Sequence, residues 1–177
     1  MSKSAAVLGI PHPLQGPGFM AYIDDPAYTR LVKSLIKADV DFIFEENGSH
    51  GRSIAEDLTE SVLGPGHYMD IDPPFDERPK YGIEQETGGM CPIDPFQNVA
   101  PGVPHDTYRW ELVDVHRKRE ELWLQRIQAQ SFERGLVICG DSHALSIAFR
   151  LCSSGICVAE TYSYMPYHKL CSRPHGS

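Results

Sequence analysis

Two spacings of apolar residues alternate along the chain. Short apolar runs, "AAVLGI" at 5–10, "VDFIF" within 40–47, "LVICG" at 136–140 and "ICVAETY" at 156–162, stop at a proline, a glycine or charged residues and predict buried strands. Between them the spacing becomes helical. Tyr28, Leu31, Val32, Leu35 and Ile36 fall at i, i+3, i+4 and i+7 and predict a helix over about 26–38, with Asp25 as N-cap and Pro26 as its first residue. Ile54, Leu58, Val62 and Leu63 predict a shorter helix, and a third spans about 142–153 with Gly155 closing it. A long helix is expected over 105–131, its single apolar stripe running through Leu112, Val115, Leu122 and Ile127. "HYMDID" at 67–72 alternates and reads as an edge strand. The repeated order strand, helix, strand predicts one α/β domain over residues 1–177. Its expected form is three layers, a mainly parallel sheet of about five strands with helices on both faces.

Residues 73–104 interrupt this order. They are rich in proline and glycine and lack a sustained period, which predicts a lid-like loop insertion over a functional site.

Composition narrows the partners. Sixteen basic against 24 acidic side chains give a formal charge of −8, which repels phosphate backbones, and no basic stripe interleaved with aromatics appears. A small-molecule or peptide substrate is therefore expected rather than nucleic acid. The first 14 residues carry one lysine and a short apolar run before a proline, too little for a signal peptide or a membrane span, so a cytoplasmic location is expected. Five cysteines, at 91, 139, 152, 157 and 171, form no CxxC pair and read as reduced thiols. Oligomeric state is not readable from these features.

In an open parallel sheet ligands bind beyond the carboxyl ends of the strands, so the residues just after each strand carry the chemistry. His12 follows the first strand in Gly9-Ile10-Pro11-His12, and Glu45 and Glu46 end the second. Asp70 and Asp72 end the third, and Asp141 and His143 follow the fourth in Gly140-Asp141-Ser142-His143. Two imidazoles and a carboxylate, as His12, His143 and Glu45, are a donor set for zinc, manganese or iron with a position left for water. Without metal, a histidine oriented by a glutamate serves as general base on water. A buried Glu45–Glu46 pair resists double ionisation, so a metal or an arginine is expected beside it. His50, His67, His105 and His116 fall in loops or on the charged helix and are left out of the expected site.

This pair of Gly-x-x-His motifs, one early and one late with a glutamate after the second strand, resembles the Tiki/TraB/ChaN superfamily, which also takes in erythromycin esterase. The resemblance implies an arginine between the motifs. Arg119 in "HRKREELWLQRI" looks like that residue, and Arg78 in "DERPKYGI" is a second candidate that would present charge to the ligand beside Asp72 and Asp141. Members of the superfamily differ in activity: Tiki-type proteins look like metal-dependent proteases, erythromycin esterase opens a lactone, and ChaN binds haem. The resemblance thus implies a hydrolase of an ester, lactone or peptide bond, with catalytic His12, Glu45, Glu46, His143 and Arg119. Its alternative is a haem or metal carrier or sensor without catalysis, with Tyr68, Met69, Phe75, Tyr81 and Met90 as an apolar slot.

"GDS" at 140–142 also invites a serine-hydrolase reading with Ser142 as nucleophile and His168 as base. That motif belongs near a first strand with an Asp-x-x-His following it, which this chain lacks. Ser142 is more simply the N-cap of its helix. The charges over 116–126 read as a solvated helix face.

Overall fold

A computed structural model describes residues 2–18, 22–48, 50–83 and 105–164, with only the backbone described over 105–114. The strands are β1 (Ser4–Ile10), β2 (Phe42–Glu45), β3 (Tyr68–Asp70), β4 (Arg134–Gly140) and β5 (Cys157–Ser163). The helices are α1 (Pro26–Lys37), α2 (Ile54–Val62), α3 (His105–Ala129) and α4 (Asp141–Ser153), with short 3-10 turns at His12–Leu14 and Arg78–Tyr81. Asp25 caps α1 as expected, its carboxylate accepting from the Ala27 N–H at 3.0 Å. Ser53 caps α2 in the same way, accepting from Glu56 N–H at 3.0 Å. No described helix is long and apolar enough to cross a membrane.

The five strands form one sheet in the order β3-β2-β4-β1-β5, and every pairing is parallel. The α/β class with about five strands is thus what the molecule adopts. Two apolar clusters divide the strand residues by parity. Ala5, Val7, Phe42, Phe44, Val137 and Cys139 pack with Trp123 and Ile127 of α3 and Ala144, Ile147 and Leu151 of α4. Leu8, Ile10, Ile43, Leu136 and Ile138 pack with Tyr28, Val32 and Ile36 of α1 and Ala55 of α2. Successive side chains of a strand point to opposite faces. The helices α1 and α2 therefore meet one set of strand side chains, α3 and α4 the other.

This topology positions the site. After β1 the chain leaves toward β2 on one side of the sheet, whereas after β4 it leaves toward β5 on the other, so the neighbours β1 and β4 flank the topological switch point. Their register pairs Ile10 with Gly140, and that of β2 pairs Glu45 with Ile138 and Asp70. The residues immediately past these positions are carried to one edge.

Two expectations are corrected. The inward face of α3 keeps Ile127 of the expected stripe but not Val115 or Leu122, and the Leu112 side chain lies outside the described part. That face runs through His116, Arg119, Glu120, Trp123 and Ile127, of which Arg119, Glu120, Trp123 and Ile127 are buried, while Val115 and Leu122 are half-exposed. The expected solvated charges over 116–126 thus include two buried ions, because Glu46 and Asp72 at the sheet edge meet Arg119, and His143, Ser146 and Arg150 of α4 meet Glu120. The 73–104 segment is also not structureless throughout. Residues 73–83 contain the turn Arg78–Tyr81 and end on fully buried Ile83; residues 84–104 lie outside the described part.

Candidate functional site

A cavity of ≈ 390 Å³ opens at the carboxyl edge of the sheet, lined by the loop ends after β1, β2, β3 and β4 and by α3. His12, Glu46, Arg119 and His143 line it together, as do Asp72, Arg78 and Asp141.

Glu46 is its centre. Glu46 and Phe44 are two residues apart and share a parity, so Glu46 faces the α3 side of the sheet. It is 2% exposed. One oxygen accepts from the Gly140 N–H at 2.7 Å, and the other meets the Arg119 guanidinium. Burial works to raise this carboxyl's pKa, but Arg119, His12, His143 and the Gly140 N–H outweigh it and hold the group at about 2. Arg119, also buried, spans to Asp72 with bonds of 3.0 and 2.9 Å, and its plane lies over the Trp123 ring. Asp72 receives the Trp123 indole N–H at 2.9 Å and Arg78 at 2.7 Å as well. An arginine beside the glutamate was expected; here it is a bridge between two carboxylates.

The two motif histidines approach Glu46 from different elements. His12 Nε2 lies 3.7 Å and His143 Nε2 3.9 Å from the same oxygen, Oε1. Each ring is held at its other nitrogen. The Gln15 side-chain amide donates to Glu45 Oε1 at 3.1 Å and to the Glu46 carbonyl at 2.7 Å, which fixes which end of that amide is nitrogen. Its oxygen, 2.7 Å from His12 Nδ1, must therefore accept, so Nδ1 carries the proton and Nε2 the lone pair. His143 Nδ1 is 2.8 Å from Glu120 Oε1. The other Glu120 oxygen accepts from Ser146 at 2.5 Å and from Arg150 at 2.9 Å. Burial raises the Glu120 pKa, but these partners prevail and lower it. His143 is 2% exposed and sits between the rings of His116, 4.3 Å away, and Trp123, 4.9 Å away.

Gly140 is required by proximity rather than by its backbone angles, which are ordinary (φ −54°, ψ 139°). A Cβ there would stand 3.0 Å from His12 Nε2 and 3.4 Å from Glu46 Oε2. The strand exit thus needs an empty space rather than a special backbone conformation. Ser142 is not the N-cap: α4 begins at Asp141 with Gly140 as its cap, and Ser142 is exposed at the cavity wall. His168 lies outside the described residues.

Glu45 is separated from Glu46 by strand parity. It shares the face of Ile43 and does not line the cavity; Gln15, Ser53 and Tyr68 donate to its carboxylate. Burial raises its pKa to about 7 despite these donors. It acts on the cavity only through Gln15, behind His12. Asp70 is also structural, its Oδ1 accepting from the N–H groups of Asn47, Gly48 and Asp72 at 3.1 Å each.

The donor set does not fit the expected metal. Among the described residues no three His, Cys, Asp or Glu side chains are placed to hold an ion, Glu45 faces away, and Glu46 is committed to a guanidinium and a backbone N–H. Nor is a haem slot assembled. Tyr68 is bonded to Glu45, Phe75 and Tyr81 are about half exposed, none of these or Met69 lines the cavity, and Met90 lies outside the described residues.

His50, His116, Asn47, Gln15 and Glu120 were missed by the sequence reading. The last two brace the histidines and the others line the cavity. The helical spacing His116, Arg119, Glu120, Trp123 was the available signal, a polar face at i, i+3, i+4 and i+7 that a search for apolar periodicity passes over. Burial, His143 and Arg119 hold the His116 ring at a pKa of about 4, so it is neutral at neutral pH. Compared with protein-family models, characterised proteins and solved structures, the chain matches none.

Proposed function

We propose that this cavity is the active site of a hydrolase acting on an ester, lactone or peptide bond without a metal. The observation that carries this reading is the convergence of His12 Nε2 and His143 Nε2 on one oxygen of Glu46, each ring braced at Nδ1 by its own buried partner. The resemblance to the superfamily with paired Gly-x-x-His motifs selects the same residues from sequence.

The two histidines have different surroundings, which divides their roles. His12 is the more open, its side chain 44% exposed, and presents its lone pair toward the cavity. It takes the proton of a water as that water's oxygen attacks the carbonyl carbon, and Glu46 stabilises the imidazolium formed. His143 is enclosed and has a carboxylate near each ring nitrogen, Glu120 at one and Glu46 at the other, which orient the ring. In its protonated form it gives its proton to the leaving oxygen or nitrogen as the acyl bond breaks, and the proton that His12 took from water replaces it through solvent at the end of the cycle. Arg119 ties Glu46 to Asp72; its donors face those carboxylates rather than the substrate.

The test is a panel of esters, lactones and peptides assayed with the full chain with and without a chelator. Turnover that resists chelation and falls a hundredfold or more in His12→Ala and in His143→Ala supports the reading. Full activity in both variants, or complete loss on chelation restored by added metal, refutes it.

A further inference from the structure

One corner of the cavity is built to hold an oxyanion. Arg78 is 9% exposed and lines the cavity, yet among the described residues only its Nη2 is bonded, to Asp72 at 2.7 Å, and its Nε has no hydrogen-bond partner. An enclosed donor left unmet is costly, so a donor in this position calls for an acceptor. Asp72 cannot supply more: it already accepts from Arg119, Trp123 and Arg78. Arg119, by contrast, has two carboxylates.

The chain brings a second hydrogen-bonding side chain, the His50 ring, to the same corner. Gly48 adopts φ +58°, and a Cβ on it would lie 3.3 Å from Asp72 Oδ2, 3.7 Å from the His50 ring and 3.8 Å from Arg78 Nη2. The turn after β2 thus folds His50 down beside Arg78. Burial is the main cause that lowers the His50 pKa, followed by His12 and Arg78. The first turn of α4 lines the cavity too, and its cap Gly140 offers its N–H groups no side chain. Of the carboxylates at that end, Asp141 accepts from the Ser163 hydroxyl and Glu46 from the Gly140 N–H.

We infer that Arg78 and His50 form a subsite for the carboxylate or phosphate group of an anionic substrate. This rests on the cavity being a substrate site and deepens that reading by naming the substrate class. Arg78 offers a planar pair of donors to two oxygens of the anion, His50 a third from the side. The bond to be cleaved then lies on the His12 side of the anchored group.

The test uses the full chain titrated separately with inorganic phosphate and with acetate, followed by calorimetry and by the NMR signal of the Arg78 Nε–H. Saturable binding of one equivalent of either anion, with a shift of that signal, is expected. Arg78→Gln should weaken binding at least tenfold, and Arg78→Lys should recover part of it. His12→Ala should bind as the natural chain does. A preference for phosphate or for acetate identifies which group the substrate carries, and either supports the proposal. Binding of neither anion overturns it, as does an unmoved Arg78 signal during saturation, which remains decisive if Arg78→Gln does not fold. Because His12→Ala removes the proposed base and spares this corner, loss of turnover without loss of anion binding separates the two readings.

Discussion

Replacing Glu46 by glutamine tests how the site is held together. The substitution keeps shape and one acceptor oxygen but removes the charge that faces Arg119, His12 and His143. Burial alone would raise this carboxyl, yet its cationic neighbours and the Gly140 N–H bring it from 4.5 to about 2. At 1.36 kcal/mol per pH unit that drop corresponds to about 3 kcal/mol of stability. Because the folded pKa lies below the unfolded one, the contribution is complete above pH 4.5 and is lost as pH falls toward 2. Asp72 stays on Arg119 in the variant, so the guanidinium is not stranded and about 3 kcal/mol, rather than more, is the expected cost at pH 7. Urea unfolding of both chains from pH 7 down to pH 3 measures it. The gap should be constant above about pH 5 and then narrow by roughly 1.4 kcal/mol per pH unit. At neutral pH, melting should fall by roughly 6–12 °C for a domain of this size. A gap under about 1 kcal/mol at pH 7, or one that does not change with pH, would show that the pairing around Glu46 contributes little.

Other outcomes follow from neighbouring groups. His116 has its folded pKa depressed to about 4, so stability should fall as pH drops from 6.5 to 4; in His116→Gln the melting temperature should change less over that interval, and an identical slope would contradict it. Glu45 has the opposite sign. Its folded pKa is raised to about 7, chiefly by burial, so its contribution is present below 4.5 and lost as pH rises through 7. Glu45→Gln should therefore gain stability relative to the natural chain between pH 5 and pH 8 in paired denaturation curves. Gly140→Ala should fold with a melting temperature within a few degrees of the natural chain, since alanine accepts the backbone angles found there. Its Cβ would press on His12 Nε2, so any turnover found should fall at least tenfold; unchanged kinetics would mean that His12 has room to spare.

Much of the architecture was legible in the chain. The runs that became β1 and β4 are apolar on both faces, Asp25-Pro26 announced the start of α1, and the alternation of elements implied a parallel sheet. That reasoning also placed His12, Glu46 and His143 at one edge, because the ends of parallel strands lie together whatever their order. Sequence parity even separates Glu45 from Glu46, since adjacent residues of a strand point opposite ways. Which of the two faced the site was decided only when α3 packed over the face of Phe44 and brought Arg119 to Glu46. The same docking turned His116, Arg119 and Glu120 inward. Their inward placement could not be read locally, because charged groups go inside only where opposite charges and hydrogen-bond partners await them, and those partners come from just past β2 and β3 and from α4, 23–73 residues away in the chain. Apolar burial is a property of a residue and its spacing; burial of a charge is a property of the partners that the tertiary structure assembles around it.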